Sequence, residues 1–186
     1  MLIDFQALVL EQQDGQTSAS IQRLTQDQLP AGDVLVQVDY SSLNYKDAMA
    51  VTGTGKIVRQ FPMVPGIDLA GTVLESTSPE YQVGDRVILT GWSVGERFWG
   101  GYSQQQRVNA QWLTPMPKGM DSLTAMTLGT AGLTAMLCVM ALQDAGVTSG
   151  DLLVSGASGG VGSVAIQLLA QAGYRVTALT QRPEAS

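Results

Sequence analysis

Histidine is absent from this chain of 186 residues. That one absence removes both the commonest general base and the commonest transition-metal ligand. The single cysteine, Cys138, excludes an internal disulfide and, with no histidine to join it, a Cys/His zinc cage. Positive charge is scarce too: ten Lys and Arg stand against sixteen Asp and Glu, a formal charge of −6. Nucleic acid is therefore not an expected partner, because displacing counterions from phosphates needs a basic face. The carboxylates could hold a hard cation, but no loop carries the spaced Asp/Glu/Gly pattern of a calcium site. The first residues show no basic stretch leading into an apolar run, so no secretory signal is expected. Apolar stretches are interrupted by Gly, Thr or Gln well short of the ~20 residues of a membrane helix. The expectation is a soluble cytoplasmic protein with no membrane partner.

Glycine is abundant instead, with 21 residues, and 45% of the chain is hydrophobic. That is enough for one full domain, or one and part of another. Up to about residue 115 the texture is that of short strands. Phe5 to Leu10, Val34 to Val38, Gly71 to Leu74, Arg86 to Leu89 and Gln104 to Val108 are β-branched or alternating, and turn signals such as Asp14-Gly15 and Val83-Gly84-Asp85 separate them. A β-barrel or sandwich with long loops follows. After Pro115-Met116-Pro117 the chain turns helical from Ser122 to Asp144, broken at Gly129 and Gly132 into two pieces. Met126, Leu133, Leu137 and Met140 are expected on buried faces, with Cys138 as a small buried hydrophobe. The methionines between Met116 and Met140 fit core filling or an adaptable binding groove, and core filling is the expectation.

The last section reads as one βαβ unit. Asp151 to Ser155 is a short strand, Val161 to about Ala172 an amphipathic helix stopped by Gly173, and Tyr174 to Leu179 a second strand. Between the first strand and the helix stands Gly156-Ala157-Ser158-Gly159-Gly160-Val161-Gly162, whose glycines at 156, 159 and 162 form a variant of the dinucleotide fingerprint. Such a turn lets a pyrophosphate approach backbone N–H groups at a helix N-terminus. Ser158, Gly159, Gly160 and Val161 are the candidate cradle. An unliganded glycine-lined turn is the plainer alternative. The second strand ends in Thr180-Gln181-Arg182, where NAD-binding folds usually have an acid for the ribose hydroxyls. A carboxylate would repel a 2′-phosphate, whereas a hydroxyl and a guanidinium bind it, so NADP is the expected cofactor. A solvated loop position is the alternative for Arg182.

Several ordered motifs carry a resemblance. They are Ser42-Leu43-Asn44-Tyr45-Lys46-Asp47, Phe61 to Gly71, Val83 to Val87, Gly91 to Glu96 with Trp99-Gly100-Gly101-Tyr102, Gly129 to Ala135, and the glycine turn. With them the chain resembles the medium-chain dehydrogenase/reductase superfamily in its zinc-free quinone oxidoreductase branch, most of all the bacterial acrylyl-CoA reductase type. The resemblance implies α/β plus β architecture: a GroES-like β-rich substrate domain over 1–121, then a truncated Rossmann doubly wound domain over 122–186. Gly66-Ile67-Asp68 stands where the zinc enzymes carry Gly-His-Glu, which implies no metal. Asn44 and Tyr45 would face the nicotinamide and the reacting carbons, and Thr130 the cofactor's carboxamide region. Read as residues alone, Asn44 is as well a turn cap and Tyr45 a packed aromatic with a tethered hydroxyl. Asp47 and Asp68 read as structural acceptors rather than bases. Trp92 and Trp99 either wall a substrate or pack a hairpin, and Phe98 stands where a more polar residue is expected. Lys56 and Arg59 are candidate cations for a CoA substrate.

The implied activity is NADPH-dependent reduction of an α,β-unsaturated acyl-CoA, a small-molecule substrate. A quinone reductase is the enzymatic alternative, and a non-catalytic fragment or binding module the alternative of another class. Family members are longer, with a sheet of about six strands. The chain thus looks like an N-terminal part, expected to be inactive alone and a homodimer at full length.

Overall fold

The computed structural model describes residues 4–181. The chain forms two compact units, Met1–Gly129 and Thr130–Ser186. In the first, β1 (Asp4–Gln13) and β2 (Gln16–Thr25) pair as an antiparallel hairpin. Asp14 and Gly15 close it with φ of 52° and 78°, a mirror-image turn whose twist matches that of the strands. A second sheet has the order β6-β3-β4-β5-β7, all antiparallel: β3 (Val34–Tyr40), β4 (Asp68–Ser76), β5 (Arg86–Thr90), β6 (Gln105–Val108) and β7 (Thr114–Pro115). Every strand expected from the alternating pattern is present. The polar β2 was not expected, because Ser18, Ser20, Ile21 and most of its side chains face solvent and give no apolar alternation.

The centre of β3 shows why this sheet holds. Successive side chains point to opposite faces. Val34 and Val36 pack with Leu69, Val87 and Leu89 on one face, while Leu35 packs with Phe5, Ala7, Val9 and Val64 on the other, under the hairpin. A run of three fully buried residues thus joins two cores. Between β3 and β4 lies α1 (Tyr45–Thr52), which the sequence reading treated only as part of a motif.

Helix α2 (Ser122–Asp144) begins in the first unit, where Ala125 and Met126 pack with Ala70. By length and composition it is apolar enough to cross a membrane, against the expectation that every apolar stretch is interrupted. It is bent at Gly129, whose φ of 49° and ψ of −152° are not helical. Gly132, the other expected break, continues the helix. A glycine there costs about 1 kcal/mol in propensity but does not by itself stop a helix.

The second unit contains the rest of α2, then β8 (Asp151–Ser155), α3 (Gly160–Gln171) and β9 (Arg175–Leu179), with β8 and β9 parallel and in register from Asp151↔Arg175 to Ser155↔Leu179. Its core is Val139, Leu169 and Tyr174 with Leu142, Leu152, Val154 and Val176. One expectation is corrected here. Met126 is buried, but Leu133, Leu137 and Met140 are 46%, 54% and 44% exposed, and Cys138 is exposed. Leu133, Leu137 and Met140 share one face of the helix beyond the bend, at spacings of four and three, and that face is the exposed one; Ala135, Val139 and Leu142, at the same spacings, form the inward stripe.

Leu35 is the sharpest probe of this packing. Leu35→Ala should lower the unfolding free energy by about 2–5 kcal/mol. Ile21→Ala, at a side chain 73% exposed on β2, should change it by less than about 0.5 kcal/mol. Urea titrations of both variants check this, and similar losses at the two sites would contradict the assigned core.

Candidate functional site

The glycine turn joins β8 to α3. Gly156 has a φ of 64°, and a Cβ on Gly162 would lie 2.3 Å from the Gly156 carbonyl oxygen, so strand and helix meet too closely for a side chain. Gly159 caps α3, and Gly160, Val161 and Gly162 form its first turn, whose N–H groups helical geometry leaves without intrahelical partners. Beside them opens a groove of about 470 Å³ lined by Ser155, Gly156, Ser158, Gly159, Leu179, Thr180 and Gln181. The Ser158 and Thr180 hydroxyls lie 3.0 Å apart across it, and no carboxylate is among the described residues that line it. The structure brings Ser158, Gly159 and Thr180 together in one lining. Backbone donors and hydroxyls around an acid-free groove fit a dinucleotide phosphate. Arg182 lies outside the described residues.

In the first unit the candidate residues converge on two buried carboxylates. Asp47, in the first turn of α1, is 1% exposed; Oδ2 accepts the Asn44 N–H (3.0 Å), and Oδ1 accepts those of Gly66 (3.2 Å) and Ile67 (3.0 Å). Asp68, at the start of β4, is fully buried and accepts hydrogen bonds at Oδ2 from the Ser42 hydroxyl and the Asn44 amide (3.2 Å). The same amide donates to Ser42 Oγ at 2.8 Å. A Cβ on Gly129 would stand 2.8 Å from Asp68 Oδ2, so the bend in α2 clears the space that the carboxylate occupies. The Tyr102 hydroxyl donates to the Ser42 carbonyl at 3.1 Å. Burial, then the charges of Asp47 and Asp68, push that phenol above its ordinary range. Asp47 and Asp68 are thus acceptors, as expected. Ser42 and Tyr102 enter the sequence reading only within motifs and Gly129 as a helix break, and nothing in their spacing points to the shared carboxylate.

Asn44 caps α1 and also turns its amide inward to Ser42 and Asp68. Tyr45 is 81% exposed, so the alternative of a packed aromatic with a tethered hydroxyl does not hold. As the first residue of α1 it projects from the pinned end of that helix. Thr130 is half-buried and follows the bend. Lys46 Nζ meets Glu96 Oε2 at 2.6 Å and Arg59 Nε meets Oε1 at 3.5 Å; these cations, Lys46 foremost, hold the Glu96 carboxyl below the usual range. Trp92 stacks on Trp112 (6.4 Å), and Phe98 packs on the same ring (4.8 Å), which gives the unexpected phenylalanine an apolar partner. Trp99 donates Nε1–H to the Pro62 carbonyl and packs into the core around Met63, a packing role.

Comparison with known proteins brings these observations together. Residues 30–118 match the alcohol dehydrogenase GroES-like domain. The chain is 60% identical over 179 residues to a probable acrylyl-CoA reductase of Escherichia coli, an alignment covering 95% of this chain and 55% of that protein. It is 41% identical over 184 residues to a putative quinone oxidoreductase of Bacillus subtilis, covering 98% and 56%. Its fold superposes with a TM-score of 0.93 and 58% identity on the yhdH oxidoreductase of Salmonella enterica solved in complex with NADP, covering 96% and 56%. Over nearly its whole length the chain is thus similar to oxidoreductases of the medium-chain dehydrogenase/reductase superfamily, and residues 30–118 carry its GroES-like domain. In the terms of that superfamily the first unit is GroES-like and the second a partial Rossmann-like region. The chain spans about half the length of the relatives it matches.

The Asp47 carboxyl supplies a pH test of this architecture. Burial is the largest influence and raises its pKa; the Asn44 and Ile67 bonds pull it down, and the charge of Asp68 adds to the rise. A raised folded pKa means that Asp47's contribution is fully present below its unfolded pKa and is lost as pH rises through the folded value. Asp47→Asn puts an N–H where Asn44 needs an acceptor, and should cost about 1–2 kcal/mol. Its deficit relative to wild type should be widest near pH 4 and narrow as the pH rises. Denaturation midpoints of both proteins from pH 4 to 8 check this; a deficit that widens with pH would reverse the sign assigned to Asp47.

Proposed function

We propose that the protein carrying this chain reduces the activated double bond of an α,β-unsaturated acyl-CoA such as acrylyl-CoA, with NADPH and without a metal. The observation that carries the reading is the groove beyond the glycine turn, where Ser158 and Thr180 offer hydroxyls and no acid stands among the described residues of the lining. In it the helix donors of Gly160 and Val161 hold the pyrophosphate, and Thr180, with Arg182, binds the 2′-phosphate. The Salmonella enterica relative with bound NADP supports the cofactor, and the acrylyl-CoA reductase relative supports the substrate. Bound there, the dinucleotide supplies a hydride for the alkene.

The chain's own residues then have separate tasks. Asn44 spends its amide hydrogens on Ser42 and Asp68, which fixes the backbone that presents Tyr45. An amide oxygen has two lone pairs, so Asn44, with Thr130, can still accept from the cofactor's carboxamide region. The exposed Tyr45 hydroxyl is the group that donates a hydrogen bond to the thioester oxygen as negative charge grows there; its proton then passes to the α-carbon, and the phenolate left behind regains one from solvent. An enolate held by donors alone needs no Lewis acid, and Ile67 leaves no ligand where the zinc enzymes have histidine. We also infer a cytoplasmic homodimer.

The quinone reading rests on the Bacillus subtilis relative. Assaying the native protein with acrylyl-CoA, crotonyl-CoA, small quinones and simple alcohols separates the readings. The expected outcome is enoyl-CoA reduction with NADPH, unchanged by chelator. Faster turnover of quinones would transfer the assignment to the alternative, and loss of activity on chelation would end the metal-free mechanism. Arg182→Ala should weaken NADPH relative to NADH by about 1.5–3 kcal/mol, one charge-assisted contact. Equal KM changes for the two cofactors would remove Arg182 from the 2′-phosphate.

A further inference from the structure

A second polar groove, of about 550 Å³, lies wholly in the first unit. The end of the β1–β2 hairpin contributes Gln12 and Thr17, and the segment following α1 contributes Lys56, Arg59 and Gln60. In a chain with sixteen acids and ten bases, the described residues that line this groove include two bases and no acid. Lys56 is exposed and has no hydrogen-bond or ion-pair partner among the described residues. Arg59 is steadied from behind: its backbone N–H donates to the Glu96 carbonyl at 2.9 Å and its Nε meets Glu96 Oε1 at 3.5 Å. A guanidinium has five N–H donors in a planar fork, so most remain for a ligand. An ammonium and an oriented guanidinium facing one acid-free groove are the pattern that recognises phosphate.

We propose that this groove binds a phosphate of the substrate, at the nucleotide end of an acyl-CoA. The assignment rests on the acyl-CoA reading above and adds the place where the carrier is held. Helix α1 sets the span. Tyr45 stands at its first residue and the groove begins at its last turn, with Ala50 and Gly53 in the lining. Eight residues at 1.5 Å each separate the two ends by about 12 Å. An extended pantetheine arm is longer than that, so a thioester at Tyr45 can reach a phosphate at Lys56 and Arg59. One structural role competes: the C-terminal end of α1 is the negative end of its dipole, and a lysine just beyond it is favourable there without any ligand.

The test uses the native protein with two thioesters, acrylyl-CoA and acrylyl-pantetheine, the second lacking the nucleotide. Lys56→Glu should lower the ratio of kcat/KM for acrylyl-CoA to that for acrylyl-pantetheine by about tenfold, the loss of one charged contact. Adenosine 3′,5′-bisphosphate should inhibit the wild type in competition with acrylyl-CoA, and the variant much less. An unchanged ratio with a raised KM for NADPH would assign the phosphate to the dinucleotide and overturn the proposal. An unchanged ratio with only a lowered melting temperature would make Lys56 a helix-end residue and overturn it likewise. If the wild type reduces neither thioester, the acyl-CoA reading fails by itself. Calorimetric titration with the bisphosphate then decides the groove: binding weakened by Lys56→Glu upholds the phosphate site, and no binding removes it.

Discussion

The first unit is organised by the need to satisfy two carboxylates taken out of water. A buried carboxylate is tolerable only when its oxygens are fully engaged. Asp68 meets this requirement by drawing in Ser42 and Asn44, and Asp47 by taking the N–H groups of Asn44, Gly66 and Ile67. Asn44 serves both acids, through its side chain to one and its backbone to the other. The segment between β3 and α1 therefore has one conformation that satisfies both, and the bend at Gly129 answers the same demand from α2. Tyr45 is oriented by this arrangement without taking part in it. An exposed side chain on a pinned helix end is what a group meant to meet a ligand requires.

The second unit handles charge by other means. The groove at its glycine turn has no ionised side chain among the described residues that line it; it offers helix N–H groups, two hydroxyls and a glycine-rich turn. Backbone donors fixed by a strand and a helix need no desolvation of a cation before the anion arrives, which suits a cofactor that must bind and leave repeatedly. Rigidity comes from packing: Leu169 and Tyr174 are buried against Val139, and β8 pairs with β9 along its full length.

How much of this was legible in the sequence follows the range of each interaction. The strands around Val34 to Val38 and Arg86 to Leu89 and the βαβ unit are written in local alternation and in glycine spacing, and each stands where expected. β2 was unreadable because a strand facing solvent carries no apolar period. Leu133, Leu137 and Met140 were misread because a helical period shows which residues share a face but not which apolar face meets the core, and Ala135, Val139 and Leu142 carry the same period. The Asp68 cluster was the least legible part. Ser42 and Asp68 are 26 residues apart and joined by a side-chain bond, which no local pattern encodes. Asp68 could be called an acceptor from its chemistry, but its partners came only with the fold.

The negative balance of the chain is consistent with a function that handles anions. Net charge acts at long range and is screened within about 10 Å at ordinary salt, whereas recognition of a phosphate is decided by the groups in contact with it. What matters is where the sixteen acids are placed. Asp47 and Asp68 are enclosed among their own donors, and Glu96 is neutralised by Lys46 and Arg59. Among the described residues, no acid lines the grooves at Thr180 and at Lys56. With acids either engaged inside or kept out of the linings, two helix-turn donors or two cations suffice for an anion, and scarce positive charge is no obstacle. The bases need only be few and well placed, and Arg59 shows how placement is achieved: Glu96 takes part of its charge and in return sets its direction.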